Sequence, residues 1–158
     1  MYRKIMVPLD GSELAECALP HVEAITTGCK TTNVVFVRVV EPIQLPARLP
    51  AQGEFGFQDK DRREIDKQRK KTAEAYLKKI VQTAALGDAV LSCEVLEGDV
   101  AETLANWAEQ NGVDLIMIAS HGRSGVSRWV MGSVADRILR SVCAPIMMIR
   151  APGCAPGI

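Results

Sequence analysis

Short apolar runs alternate with longer stretches of helical periodicity along the whole chain. Ile5-Met6-Val7-Pro8 reads as a short buried strand that stops at the turn formers Asp10-Gly11-Ser12. Ser12 is placed to cap a helix from about Glu13 to Thr26, with Leu14, Ala18, His21, Val22 and Ile25 on its inner stripe. Gly28 marks the expected end of that helix. Asn33 to Val40, NVVFVRVV, is rich in β-branched residues and is the clearest strand in the sequence, closed by Glu41-Pro42. Pro42, Pro46, Pro50, Gly53 and Gly56 predict a mobile surface connection over 43–58, for which a lid and a disordered loop are both open readings.

Helical spacing returns from Asp61 to Ala85, with an inner stripe of Ile65, Thr72, Tyr76, Ile80 and Ala84. The charge-dense first half, DRREIDKQRKK, is read as a solvated face. Asp59, Asp61, Glu64 and Asp66 break up its positive charge, which argues against a nucleic-acid patch. Gly87-Asp88 turns the chain into a strand at Val90 to Leu96. Asp99 followed by Glu102 resembles a capping box that opens a helix ending near Gly112. The apolar run Leu115 to Ile118 is a further strand and leads into the small-residue loop Ala119-Ser120-His121-Gly122. Ser133-x-x-Asp136 is another cap signal, for a helix to about Ser141. Ala144 to Arg150 is the last strand, followed by a Pro/Gly tail.

This alternation predicts an α/β fold: a single domain with a five-stranded parallel open sheet and helices on both faces, Rossmann-like in architecture. The chain is 158 residues long, which suits one domain with a substantial core. The domain is expected over 1–151, with a flexible tail at 152–158. In such sheets a ligand sits beyond the carboxyl ends of the strands, where the strand order reverses. The loops that begin at Asp10 and Ala119 are therefore expected to face one another.

Composition narrows the classes of function. Lys plus Arg and Asp plus Glu both number 19, so the formal charge is zero and no basic footprint for nucleic acid or a polybasic membrane anchor is present. The longest apolar runs fall well short of the ~20 residues of a membrane span. The amino terminus is too brief for a signal-peptide core, and a cytoplasmic location is expected. Cys17, Cys29, Cys93, Cys143 and Cys154 form no C-x-x-C pair and have no histidine at metal-ligand spacing, so they are read as reduced thiols. His21 and His121 do not make a metal site.

The candidate chemistry lies in the stretch from Asp114 to Val134. A glycine loop leading from a buried strand into a helix can aim backbone N–H groups and a positive helix end at a phosphate. Glycine in such a loop also serves turn geometry alone. Asp10 is open to two readings, a ligand contact or a turn residue bonding its own backbone. Ser133 can cap its helix and meet a phosphate together. His121 is read as shaping the loop, since Gly122-Arg123-Ser124-Gly125 does not fit G-x-S-x-G and no nucleophile motif surrounds it. Arg123 and Arg128 can pair with phosphates or stand as exposed loop charges. Trp129, Val130 and Met131 are read as core packing under the loop, with a dimer contact as the alternative. No Walker sequence with its phosphate-binding lysine occurs, and no residue is placed to orient an attacking water. Binding with at most slow hydrolysis is the expectation.

Together these residues resemble the universal stress protein family, over essentially the whole chain from Tyr2 to Arg150. Val7 to Ser12, V-P-L-D-G-S, looks like that family's first strand and acidic turn. Its nucleotide-binding members carry G-x2-G-x9-G-[ST], to which Ala119, Gly122, Gly132 and Ser133 correspond, with alanine in place of the first glycine. The resemblance implies an adenine nucleotide alpha-hydrolase-like fold and a site for ATP, ADP or AMP with Mg2+ held mainly by the phosphates. It implies that Asp10 meets the ribose or adenine side and that Val39 offers backbone groups to the adenine edge. Pro8 and Leu9 would line that pocket, beside Ser12. Ala119, Ser120, His121, Gly122 and Arg123 would lie along the phosphates, and Gly132, Ser133 and Val134 would supply N–H groups. It further implies a homodimer built through the apolar last strand, Ile146 to Ile149, acting on a protein partner that the sequence does not identify. Three readings remain at this level: a nucleotide-responsive regulator in stress response, a nucleotide-independent adaptor of the same fold, and an ATPase or adenylate-forming enzyme.

Overall fold

A computed structural model describes residues 2–43, 59–119 and 133–150. Their elements run β1 (Lys4–Pro8), α1 (Glu13–Glu16), α2 (Leu19–Cys29), β2 (Asn33–Val40), α3 (Asp59–Thr83), β3 (Val90–Glu97), α4 (Val100–Gln110), β4 (Leu115–Ala119), α5 (Ser133–Ser141) and β5 (Ile146–Ile149). The strands form one parallel sheet in the order β3-β2-β1-β4-β5. The expected α/β architecture is present, with β5 at one edge.

The period of two along each strand divides the core into two layers. Ile5, Val7, Val34, Phe36, Leu115 and Met117 face α1, α2 and α3. Met6, Val35, Val37, Ile116 and Ile118 face α4 and α5. Strands covered on both faces have no polar side, which is why β1, β2 and β4 read as continuous apolar runs. β3 departs from this pattern: Leu91, Cys93 and Val95 pack beneath α3, whereas Ser92 and Glu94 on its other face are exposed.

Two expectations about helices need correction. The single helix over 13–26 is two helices, α1 and α2, with the break at Cys17 and Ala18. Pro20 cannot donate to the carbonyl of Glu16, and its ring crowds that carbonyl. The chain tightens there, with Cys17 N–H donating to Leu14 O at 3.4 Å and Ala18 N–H to Ala15 O at 3.3 Å. Proline is then tolerated in the first turn of α2, where no partner for an N–H is needed. The buried positions are Ala15, Ala18, Val22 and Thr26, while His21 is exposed. α2 also runs past Gly28 and ends at Lys30, a left-handed residue with φ 51°.

The second correction concerns α3. Its buried stripe is Ala73, Leu77 and Ile80, with Tyr76 and Ala84 half-buried, but Ile65 and Thr72 are exposed. The reason is length. A helix of 25 residues spans roughly 37 Å, against about 26 Å for an eight-residue strand. Arg69 donates to Glu41 O at 2.8 Å and Lys70 pairs with Glu97, so these residues mark the level of the carboxyl ends of β2 and β3. The charged turns before them extend beyond the sheet, where an apolar stripe has nothing to cover.

The amino end is closed by Asp114, whose carboxylate accepts from Arg3 N–H at 3.0 Å and Lys4 N–H at 3.1 Å. At the other end, Asp99 caps α4 by accepting from Glu102 N–H at 3.1 Å. It also receives both guanidinium nitrogens of Arg137 in α5, at 2.8 and 2.9 Å. This two-pronged pair fixes α5 against α4. Asp136 in the first turn of α5 accepts from Arg140 at 3.1 Å. Among the described residues no helix is long and apolar enough to cross a membrane.

Two measurements check this account. Lys30→Gly removes a left-handed side chain and is expected to stabilise the protein by about 0.5–1 kcal/mol in urea titration; a loss of stability would contradict the cap geometry. The Arg137 guanidinium, and after it the Glu102 N–H, holds the Asp99 carboxyl below its ordinary value. A depressed carboxyl stabilises the fold above the unfolded value, about pH 4, and that contribution is lost as pH falls through the folded value. Asp99→Asn keeps a capping oxygen but loses the charge. Its urea midpoint is expected to lie below wild type at pH 7, with the gap narrowing as pH falls below about 4. A gap that does not change with pH would show that the ion pair contributes nothing.

Candidate functional site

β1 uses alternate residues for its two neighbours. Arg3 O and Leu9 N–H bond β2, the latter to Val37 O at 2.9 Å, whereas Lys4 O takes the N–H of Asp114. By alternation Pro8 faces β4. Having no N–H, it cannot extend that ladder. The β1–β4 register accordingly contains only Ile5 with Leu115 and Met6 with Ile116, while β1 and β2 stay paired through Pro8 and Val37. A proline therefore sits where the two central strands part, at their carboxyl ends. That is also where the strand order reverses.

The turn after β1 stands over this opening. Asp10 Oδ1 accepts from Ser12 N–H at 2.9 Å and from Ser12 Oγ at 2.6 Å. Gly11 takes φ +86°, a conformation that glycine adopts without penalty. Ser12 Oγ in turn accepts from Ala15 N–H at 3.2 Å and caps α1. The turn role weighed for Asp10 is thus realised, and Ser12 caps as expected.

The structure brings several of the expected site residues to one end of the sheet. Pro8, Leu9, Asp10 and Ser12 leave β1, Val39 lies near the end of β2, and Ala119 ends β4 beside Ile149 of β5. Ser133 opens α5, and Val134 packs among the residues between α4 and α5. Ser120, His121, Gly122, Arg123 and Gly132 lie outside the described residues, as do Arg128, Trp129, Val130 and Met131. The connection at 44–58 and the tail at 152–158 fall outside them as well.

Three residues near the turn were not legible as site residues in the sequence. Arg38, in β2, places its guanidinium carbon 5.3 Å from the centre of the Tyr76 ring. Tyr76 comes from α3, and its hydroxyl donates to Glu16 Oε1 of α1 at 2.9 Å. Burial, then the hydrogen bond and charge of Glu16, push the Tyr76 phenol above its ordinary value, against the opposing pull of Arg38. The phenol stays protonated at neutral pH and acts as a donor. The available hint was Arg38 itself, one cation inside NVVFVRVV.

A cavity of about 270 Å³ opens elsewhere, between Lys4 and Trp107 on the α4 side of the sheet. Lys4 Nζ already donates to Asn111 O at 3.0 Å and lies 5.3 Å from the centre of the Trp107 ring. Its lining residues come from the amino ends of β1 and β2, from Ser92 and Glu94 of β3 and from the end of α4, and none of them lies in the turn after β1. Among the described residues no group of three His, Cys, Asp or Glu side chains is placed to hold a metal. The chemistry on offer at the turn is recognition: a carboxylate, backbone groups at strand ends and a nearby guanidinium.

Comparison with known proteins agrees with this architecture. Universal stress protein MJ0531 of Methanocaldococcus jannaschii is 28% identical over 152 residues, covering 96% of this chain and 84% of that one. MJ0577 of the same organism is 28% identical over 156 residues, covering 95% and 96%. The solved structure of MJ0577 superposes with a TM-score of 0.75 at 26% identity, over 95% of this chain and 96% of that chain. Two further structures share the fold at lower identity. A universal stress protein in complex with cAMP has a TM-score of 0.67 at 16% identity, covering 95% of this chain and 98% of its own. An Arabidopsis thaliana family protein with AMP bound has a TM-score of 0.62 at 14%, covering 95% and 92%. The Universal stress protein family profile matches residues 1–150, and the chain belongs to that family.

Proposed function

We propose that this chain binds an adenine nucleotide, ATP or its diphosphate or monophosphate, in the opening between β1 and β4, and that the bound state sets its affinity for a protein partner in stress response. The observation that carries the reading is the parting of β1 and β4 at Pro8, with the Asp10 turn on one side and Ala119 on the other. The AMP and cAMP complexes of proteins with this fold support the ligand class. In this reading Asp10 accepts hydrogens from the ribose or the adenine amine, Val39 meets the adenine edge through its backbone, and Pro8, Leu9 and Ser12 line the pocket. Ala119, Ser120, His121, Gly122 and Arg123 follow the phosphates, and Gly132, Ser133 and Val134 turn N–H groups toward them at the start of α5.

Magnesium enters this proposal with the nucleotide. The phosphates supply its ligands, and the metal would screen their charge. The domain is taken as 1–151. Dimerisation through β5 is part of the reading: Ile146 to Ile149 form a sheet edge, and such an edge pairs readily with a second copy. A cytoplasmic location is part of the reading, and Cys17, Cys29, Cys93 and Cys143 form no disulfide with one another.

Ala119 favours a second reading, a nucleotide-independent adaptor, because its methyl group stands where nucleotide-binding relatives carry glycine. Calorimetric titration with Mg-ATP, after native mass spectrometry of the purified protein, separates the two. The nucleotide reading expects micromolar binding at about one ATP per subunit. It also expects Asp10→Ala to weaken binding at least about tenfold while the thermal midpoint stays within a few degrees. Ala119→Gly is expected to bind as tightly as wild type or tighter. No uptake at millimolar ATP would sink the proposal and leave the adaptor.

A further inference from the structure

Arg38 interrupts the apolar run of β2 from Val34 to Val40. Val37 and Val40 beside it are buried, and a cation in such a strand requires partners. Arg38 has two flat ones. The Tyr76 ring centre lies 5.3 Å from the guanidinium carbon. The backbone of Gly11 also lies close to the guanidinium. A β-carbon placed on that glycine would stand 2.7 Å from Nη1, 2.9 Å from Cζ and 3.0 Å from Nη2. Three nearly equal distances mean that the guanidinium turns its face toward the Gly11 backbone. Gly11 is favoured by its positive φ, and a side chain there would displace the Arg38 guanidinium.

The two bonds from Ser12 to Asp10 Oδ1 give the turn its internal shape. They do not determine how the turn sits on the sheet. Leu9 N–H to Val37 O ties the chain to β2 one residue before Asp10, and Arg38 covers the turn one residue after it. Behind Arg38, the Tyr76 hydroxyl to Glu16 bond joins α3 to α1, so the stack rests on two helices.

We infer that Arg38 is a positioning residue for the nucleotide site: its guanidinium, close to both Tyr76 and Gly11, fixes the Asp10 turn on the sheet and so aims Asp10 at the ligand. The inference rests on the nucleotide reading above. Arginine suits this place and lysine does not, because a planar guanidinium can lie against two surfaces and an ammonium cannot.

The test is a double-mutant cycle read in the dissociation constant for Mg-ATP, with thermal midpoints measured in parallel. Arg38→Met is expected to weaken binding about tenfold in the wild-type background and less than about twofold in Asp10→Ala, since its effect passes through Asp10. Arg38→Lys is expected to keep a wild-type midpoint and still bind several-fold more weakly. Should Arg38→Met fail to fold, Arg38→Lys and Tyr76→Leu, each also combined with Asp10→Ala, carry the same cycle. Wild-type affinity in these Arg38 and Tyr76 variants would overturn the inference and leave the nucleotide reading standing, as would full rescue by lysine. Equal losses in both backgrounds would also overturn it, because Arg38 would then act on the ligand independently of Asp10. Failure of the wild-type protein to bind ATP would remove both.

Discussion

Parallel pairing on both sides of β1 is the constraint on which the other elements depend. Parallel strands cannot be joined by a tight turn, so each must be returned across a face of the sheet, and the return is right-handed. From β1 the chain builds outward to β2 and β3 with α1, α2 and α3 on one face. It then crosses to the far side of β1 and builds β4 and β5 with α4 and α5 on the other face. The two series diverge from the same line, between β1 and β4. No helix can be returned over that line at the carboxyl ends, and Pro8 withholds the backbone donor that would otherwise keep the strands zipped there. The opening is thus a product of topology and one missing N–H.

The polar contacts around this end share a character. Arg69 to the Glu41 carbonyl, Lys70 to Glu97 and Arg137 to Asp99 each join a helix to the end of a strand or to the cap that follows one. Their side chains are substantially exposed, so water screens them and each adds little to stability. Their geometry is more informative than their energy. Together they set how α3 and α5 stand relative to the carboxyl edge, while burial of Phe36, Met117, Leu77 and Ile138 supplies the cohesion.

Legibility in the sequence followed the range of the forces involved. β2 was readable because a strand covered on both faces must be apolar throughout, and NVVFVRVV is nearly so. The Ser12 and Asp99 caps were readable because a cap involves residues three apart. The break between α1 and α2 was missed by allowing periodicity to outweigh Pro20. The stripe of α3 was misplaced because its pattern contains no record of where the sheet beneath it stops. Val39, Asp10 and Ala119 were correctly placed at neighbouring strand ends, since strand order alone dictates that. The meeting of Arg38 with Tyr76 and Gly11 was not readable, as it joins residues that only the packed sheet brings together.

Asp114 has a consequence for the growing chain. Its carboxylate takes the amides of Arg3 and Lys4, residues 111 and 110 positions away, and the strand that follows it is the second neighbour of β1. β2 is available as soon as residue 40 has been made, but β4 is not complete until residue 119. At ordinary rates of translation that interval is roughly 5–15 s. Throughout it the central strand of the finished protein lacks its second neighbour. Long-range pairing of this kind cannot be hastened by stronger local propensity. The second edge of β1 therefore closes only after about three quarters of the chain has been made.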